Sequence, residues 1–335
     1  EVNPQSAKSV MALVGTPGTK LWATLGTTAL RGLHVFGGLL FAVSGGKLYS
    51  IAADKTISSA LGTLNTSAGQ VSMADNGILS AGIGGNQLMI VDRANGYIYD
   101  VNTPSFSTIS GGGWPTGGAS TVAYIDSYFV ITTLGSMMVG VSNSYDGTAW
   151  SSLAVAPVQA SSDPCQVVAN LWQQLWIFKQ NTTEVWYDTG TPTTQGSPFS
   201  RIGGAVIPYG TPAPLSFALG DSSGFILASQ VNNNTSEFVG IAEIQGYAFQ
   251  IVSPPAINYQ ISRFSTIADA FGYCYSSEGH TFYVITFPTG NATFVYDASL
   301  TMLPVQERWH ERSTYTGSPY AVGRHVGNCY AYFNG

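Results

Sequence analysis

The sequence predicts an all-β protein, a β-propeller, and three observations predict it. The first is composition. Gly 39 and Pro 16 supply many turns, while Tyr 18 and Phe 16 favour strands. The second is a repeat. A strand, a glycine turn and a strand with an aromatic, "LLFAVSGGKLYSI" from Leu39, recurs loosely from Gln87, Tyr128, Gln174, Gly224, His280 and Asn328. The spacings are 48, 41, 46, 50, 56 and 48 residues, close to the roughly 40–50 residues of propeller blades. The third is what flanks each hairpin. A short strand precedes it, as in "RGLHVFGG" or "STVAYIDS", and another follows, as in "SFSTISG" or "PFSRIGG". Four strands per period make a blade.

Along the chain, residues 1–18 read as an extended N-terminal arm and 19–335 as the propeller. "TKLWATLG", Thr19 to Gly26, resembles the fourth strand of a blade and is expected to close the ring as a velcro strand. Inner runs such as "LLFAV" and "FYVIT" barely alternate. That pattern belongs to strands buried on both faces, as when small sheets pack radially against neighbours. Aromatics fill the wide outer part of a blade and small residues the crowded centre. "ISRFSTIADAF", within the longest linker, is a candidate short helix, weakened by its β-branched residues. "SGGGWPTGGAS" and "TGTPTTQGSPFS" are loops.

The count is seven four-stranded blades. The seventh holds only two strands before Gly335, so the last blade is incomplete and the chain is expected to continue. Six blades, with the terminal pieces forming something else, is the second count. Two β-sandwich domains would alternate more cleanly and show no period.

Charge excludes some functions. Only 9% of residues are charged, against about 25% in an average soluble chain. That suits a protein held in a large assembly, and equally a neutral Gly/Ser/Thr-rich β surface. Net charge is −6 with 12 Lys and Arg. The nearest basic group, "ERWHER", is cancelled by its glutamates, so tight DNA binding, which needs cations to neutralise phosphates, is not expected. A mildly acidic wall would let DNA slide past. Cys165, Cys274 and Cys329 are no disulfide framework and read as free thiols. No run of eighteen uncharged apolar residues crosses a membrane.

Catalytic patterns are missing. His34, His280, His310 and His325 lack metal-ligand spacing, although His34 and His325 occupy equivalent first strands. His310 reads as a rim or interface histidine. Asp75, Asp92, Asp126, Asp188, Asp221, Asp269 and Asp297 fall largely in turns, where Asp bonds the backbone. A glycosidase needs two facing carboxylates, so these remain its only candidates. "GTPGT" lacks the rest of a P-loop, and there is no GxSxG elbow. No catalytic, metal or cofactor residue is assigned. Trp114, Arg308, Trp309 and Tyr315 are the candidate interface residues, because Trp, Tyr and Arg are enriched in interfaces. For Trp114 the plainer reading is a ring folded back onto its own blade.

The opening carries a resemblance. Glu1 to Pro4, Thr16 to Gly18, Arg31, Gly32 and the hairpin from Leu39 resemble the tail-accessory proteins of short-tailed bacteriophages, the packaged-DNA stabilisation or head-closure family. The likeness is clear over about the first sixty residues and continues mainly as blade pattern. It implies a structural virion protein of the head-to-tail connector, not an enzyme, that closes the portal channel and stabilises packaged DNA. It implies a ring of copies, a hexamer, with the portal or its adaptor above and a tail needle or fibre below. DNA would pass or be weakly contacted, with no membrane and no cofactor. The implied location is the phage tail, after synthesis in the bacterial cytoplasm. It also implies residues before Glu1. The other functions weighed are a propeller glycosidase and a carbohydrate-binding module. The latter needs a Trp site repeated in each blade, and Trp150, Trp172, Trp176 and Trp186 do not share one blade position.

Overall fold

The computed structural model of the chain describes residues 21–26, 28–79, 84–133, 135–232, 235–315 and 322–324, with only the backbone at 313–315 and 322–324. Within them the strands form six antiparallel sheets, each from one continuous stretch: 30–63, 72–108, 119–157, 165–207, 218–251 and 271–315. These are blades one to six. The count of seven is therefore corrected to six.

The period misled at the seventh copy. The expected first strand of a further blade contributes Val322–Arg324, which pairs antiparallel with the fourth strand of blade six, Ser313 opposite Arg324 and Tyr315 opposite Val322. A first strand belongs at the axis beside other first strands. This one extends the outer edge of blade six as a fifth strand. Residues from Asn328, and with them Cys329 and His325, lie outside the described residues.

The velcro expectation is also corrected for the part described. Leu21 to Gly26 form no strand. The Leu25 carbonyl accepts from the Ser44 hydroxyl at 3.3 Å, and Thr28 Oγ1 meets Ser44 Oγ at 2.9 Å. The stretch lies along blade one, with Leu25 against the cluster of Leu40, Ala42 and Ile51. Each sheet already takes four strands from its own stretch, so none needs a borrowed one. Thr19, Lys20 and the arm 1–18 lie outside the described residues.

The second strands are buried on both faces, as their continuous apolar runs require: Gln87–Val91 shows no exposed position. Core clusters run between neighbouring blades. Phe41, Val43 and Leu48 of blade one meet Leu88, Ile90 and Tyr97 of blade two. Further clusters join blades two to three, three to four, four to five and five to six. First strands carry small residues toward the axis (Ala74, Ala123, Ala169), and third strands carry buried rings such as Tyr97, Trp186 and Tyr296.

The helix, Pro255–Ser262, precedes the stretch expected to form one and shares only Ile261 and Ser262 with it. Proline at its first position is preorganised for helix and lacks an N–H that would be orphaned there. It ends at Arg263, before Thr266 and Ile267.

Candidate functional site

The first strands run parallel around an axial cavity of about 480 Å³, lined by residues of blades one to four and six and by Pro214, Leu215 and Phe217 just ahead of blade five. They are stitched in sequence. Val71 N–H donates to the Arg31 carbonyl at 3.1 Å, Val168 N–H to Thr121 Oγ1 at 3.0 Å, and Gly272 N–H to the Leu215 carbonyl at 2.8 Å. Ahead of blade six, the Asp269 carbonyl accepts from Gln70 Nε2, in the linker that leads into blade two, at 3.3 Å. The cavity has the size of a small-molecule pocket. It is too narrow for a duplex whose major groove alone is about 12 Å wide.

Among the described residues the cavity wall holds one carboxylate, Asp75, and it pairs with His34 Nε2 at 2.6 Å. Asp75 Oδ1 also accepts from Gly77 N–H at 3.0 Å. Facing carboxylates for glycoside hydrolysis are not assembled there. Among the described residues no three His, Cys, Asp or Glu cluster to hold a metal. Cys165 and Cys274 are free, and burial pushes both thiols up, Cys165 to about 12.

The turns after first and third strands all lie at one end of the ring, the upper end. Turns after second and fourth strands lie at the lower end. The upper end is rich in carboxylates for a local reason. Asp100, Asp188 and Asp297 each end a third strand and accept a backbone N–H two residues on, at 2.9, 2.7 and 2.9 Å. Asp54 and Asp146 do the same in their turns. At Asp126, burial and then the charge of Asp188 raise the carboxyl. Among the described residues the cations at this end are Lys55, Arg201 and Arg308.

The candidate interface residues do not converge. Trp114 lies at the lower end, half-buried, edge-on to Trp150 at 5.0 Å and over Gly96. Arg308 is held inside its own loop by the carbonyls of Leu303 (2.9 Å) and Thr301 (3.3 Å) and by Tyr296 OH. Trp309 ties blade six to blade five through Nε1 to the Val252 carbonyl at 2.8 Å. Tyr315 pairs with Val322 by backbone only. His310 is half-buried in the fourth strand of blade six, and burial, then Arg312, hold its imidazole below the usual value.

Three arrangements escaped the sequence reading. Arg31 is buried and donates to the carbonyls of Gly45, Thr66, Ala68 and Gly69 and to Thr66 Oγ1. Lys179, fully buried, donates to Val158 and Ser161 carbonyls and pairs with Asp163 at 3.2 Å, with Glu184 at 3.7 Å. At the upper end of blades four and five, Trp172 and Tyr247 are exposed on either side of buried Trp176. A sign of the last was visible: "LWQQLW" puts a tryptophan where other blades place small or polar turn residues.

Comparison with known proteins adds the family. A family model, Phage_stabilise, described as "Bacteriophage P22 Gp10, beta-propeller", matches residues 1–333. No curated protein matches the chain. Among solved structures it is similar to YjhT (7% identity, 86% of this chain and 98% of that one, TM-score 0.48). It is also similar to the N-terminal domain of Nup159 (10%, 81% and 74%, 0.43) and to the computationally designed Ika8 protein (9%, 80% and 70%, 0.42). At these TM-scores the structural likenesses carry no argument about function.

Proposed function

This chain belongs to the phage-stabilisation family of bacteriophage P22 Gp10, and from that premise we propose how its propeller serves the particle. Membership makes it a structural virion protein of the phage head-to-tail connector, which closes the portal channel and stabilises packaged DNA; it is not an enzyme. Among the described residues no helix is long and apolar enough to cross a membrane.

The proposed unit is a ring of copies, a hexamer, in the tail between the portal or its adaptor and a needle or fibre protein, assembled from chains made in the bacterial cytoplasm. The observation that carries the reading is the family match along 1–333. The cavity geometry supports a ring over a single threaded chain. The axial cavity of about 480 Å³ cannot pass a duplex, so DNA would travel through a lumen made between copies. The mechanism is mechanical: rigid blades tile, and turns dock to neighbours. With net charge −6, the wall repels phosphates and leaves few contacts for passing DNA to hold.

The test uses particles lacking this protein. Adding the chain should restore DNA retention, and electron microscopy should show a six-fold ring of toroidal subunits below the portal. A folded monomer that never joins particles overturns the reading.

A further inference from the structure

The geometry points to the upper end of blades four and five as a docking surface for a protein partner that presents positive charge around an aromatic-sized apolar recess. This rests on the assembly role above. Two independent observations meet at that surface.

The first is an aromatic ledge. The turn between first and second strands takes left-handed backbone, which is unfavourable for bulky L residues. Blade one puts Gly37–Gly38 there, blade three Asp126–Ser127 and blade six Glu278–Gly279. Blade four puts Trp172 (φ 51°) and Gln173 (φ 61°) there. Trp172 remains 44% exposed, and Tyr247 in the neighbouring turn of blade five 51% exposed. Both rings are held in place. Tyr247 stacks on buried Trp176 at 5.8 Å and 15°, and its hydroxyl donates to Gln174 Oε1 at 2.9 Å. Trp172 meets Trp176 edge-on at 5.8 Å. Exposed Leu219 adds to the apolar surface at this end of blade five. A left-handed turn thus carries the tryptophan of a pre-organised Trp–Tyr pair, with about half of each residue left exposed. It is the form of an interface anchor, where Trp and Tyr dominate binding.

The second observation is charge. Asp126, Asp188, Asp221 and Asp146 stand on the same end of blades three to five. Among the described residues the cations at this end are Lys55, Arg201 and Arg308, fewer than the carboxylates there. At the lower end Asp92, Asp163, Glu184 and Asp269 are balanced by Arg31, Lys47, Arg93, Lys179 and Arg263. The upper end therefore presents a negative field that excludes DNA and complements a basic protein. The lower end of a second copy, balanced in sign, is a poor complement.

The test compares wild type, W172A/Y247A, D126K/D221K and the lower-end control Y259A for binding to particles lacking this protein, at low and near-physiological salt. Melting curves verify folding. W172A/Y247A should lose about thirtyfold in particle affinity. Wild-type association should slow with salt, and D126K/D221K should slow association at low salt and remove most of that dependence. Y259A should bind as wild type. If the double aromatic variant does not fold, Trp172→Gly, which relieves the turn, carries the same test. A folded W172A/Y247A or Trp172→Gly that binds particles as wild type does overturns the proposal and leaves the assembly role standing. Failure of wild type to join particles overturns the assembly role instead. Wild type that binds host-surface polysaccharide through the ledge, with particle binding intact in the aromatic variant, makes it a sugar platform and also overturns the proposal.

Discussion

Arg31 and Gly32 show how two adjacent residues join two blades. A Cβ at Gly32 would meet Val71 Cγ2 at 2.6 Å and the Val71 carbonyl at 3.2 Å. Only glycine lets the first strands of blades one and two come that close. Arg31 meanwhile gathers the carbonyls of the 66–69 linker and of Gly45 around one guanidinium. Gly32→Ala should cost about 1–3 kcal/mol by overpacking, and Arg31→Ala about 3 kcal/mol by orphaning buried acceptors, both read from chemical denaturation. Lys179 makes a second residue-scale case. Burial acts to raise the Asp163 carboxyl, but the Ser161 hydroxyl, the Asn181 amide and Lys179 together hold it below its ordinary value. The stability it supplies is complete above the unfolded value of about 3.9 and is lost as pH falls through the lower folded value. Asp163→Ala leaves the buried ammonium with Glu184 at 3.7 Å as its remaining charged partner and should cost about 3 kcal/mol at pH 7. Wild type and variant should converge in strongly acidic solution. A constant difference across that range would contradict the ion-pair account.

At the scale of the element, turns decide more than strands. The third strands of blades two, four and six end in Asp100, Asp188 and Asp297, each bonded to a backbone N–H two residues on. A backbone need thus places carboxylates at one end of the ring and makes that end acidic as a by-product. The Trp172–Gln173 turn departs from the local rule. Gln173 is exposed at φ 61°, so Gln173→Gly should stabilise the protein by up to about 1 kcal/mol, since the left-handed penalty exceeds the added chain entropy. A rise in melting temperature checks it. Blade six shows the reverse situation, in which Val322–Arg324 takes the free edge of a completed sheet. An uncovered edge offers unpaired N–H and C=O groups, and the next strand in the chain is the nearest partner.

At the scale of the whole molecule, five core clusters among the described residues join successive blades. From blade one to blade six each successive pair shares a core cluster, and the other face of blade one is covered by Leu25. Removing blade six, residues 271 onward, should expose Phe225, Leu227 and Ile241 of blade five and yield an aggregating chain, seen in size-exclusion chromatography. The axial cavity does not admit a duplex, and the charge is unfavourable to phosphates. Mobility-shift assays at physiological salt should therefore show no retained DNA complex of the isolated chain. A tight complex there would contradict the sliding-wall reading.

Blade identity was legible in the sequence because a four-stranded unit repeats its turns and buried runs every forty to fifty residues, and each unit reports its own need for neighbours. The absence of a basic stripe or catalytic motif was legible for the same reason: charge and chemistry are composition. The number of blades was not. "YAVGRHVGN" reads equally as the first strand of a new blade or a strand on the edge of the old one. Strand propensity is the same in both places, and only the hydrogen-bond partner differs. "TKLWATLG" likewise looks like a closing strand, but its Leu25 finds partners in blade one. Nothing local in the sequence marks Arg31 and Lys179 as buried; the fold surrounds them with acceptors from distant residues. Local sequence determined the units and their turns. Tertiary structure decided their number, which edge took the last strand, and which scattered side chains met, because those choices rest on contacts between residues far apart in the chain.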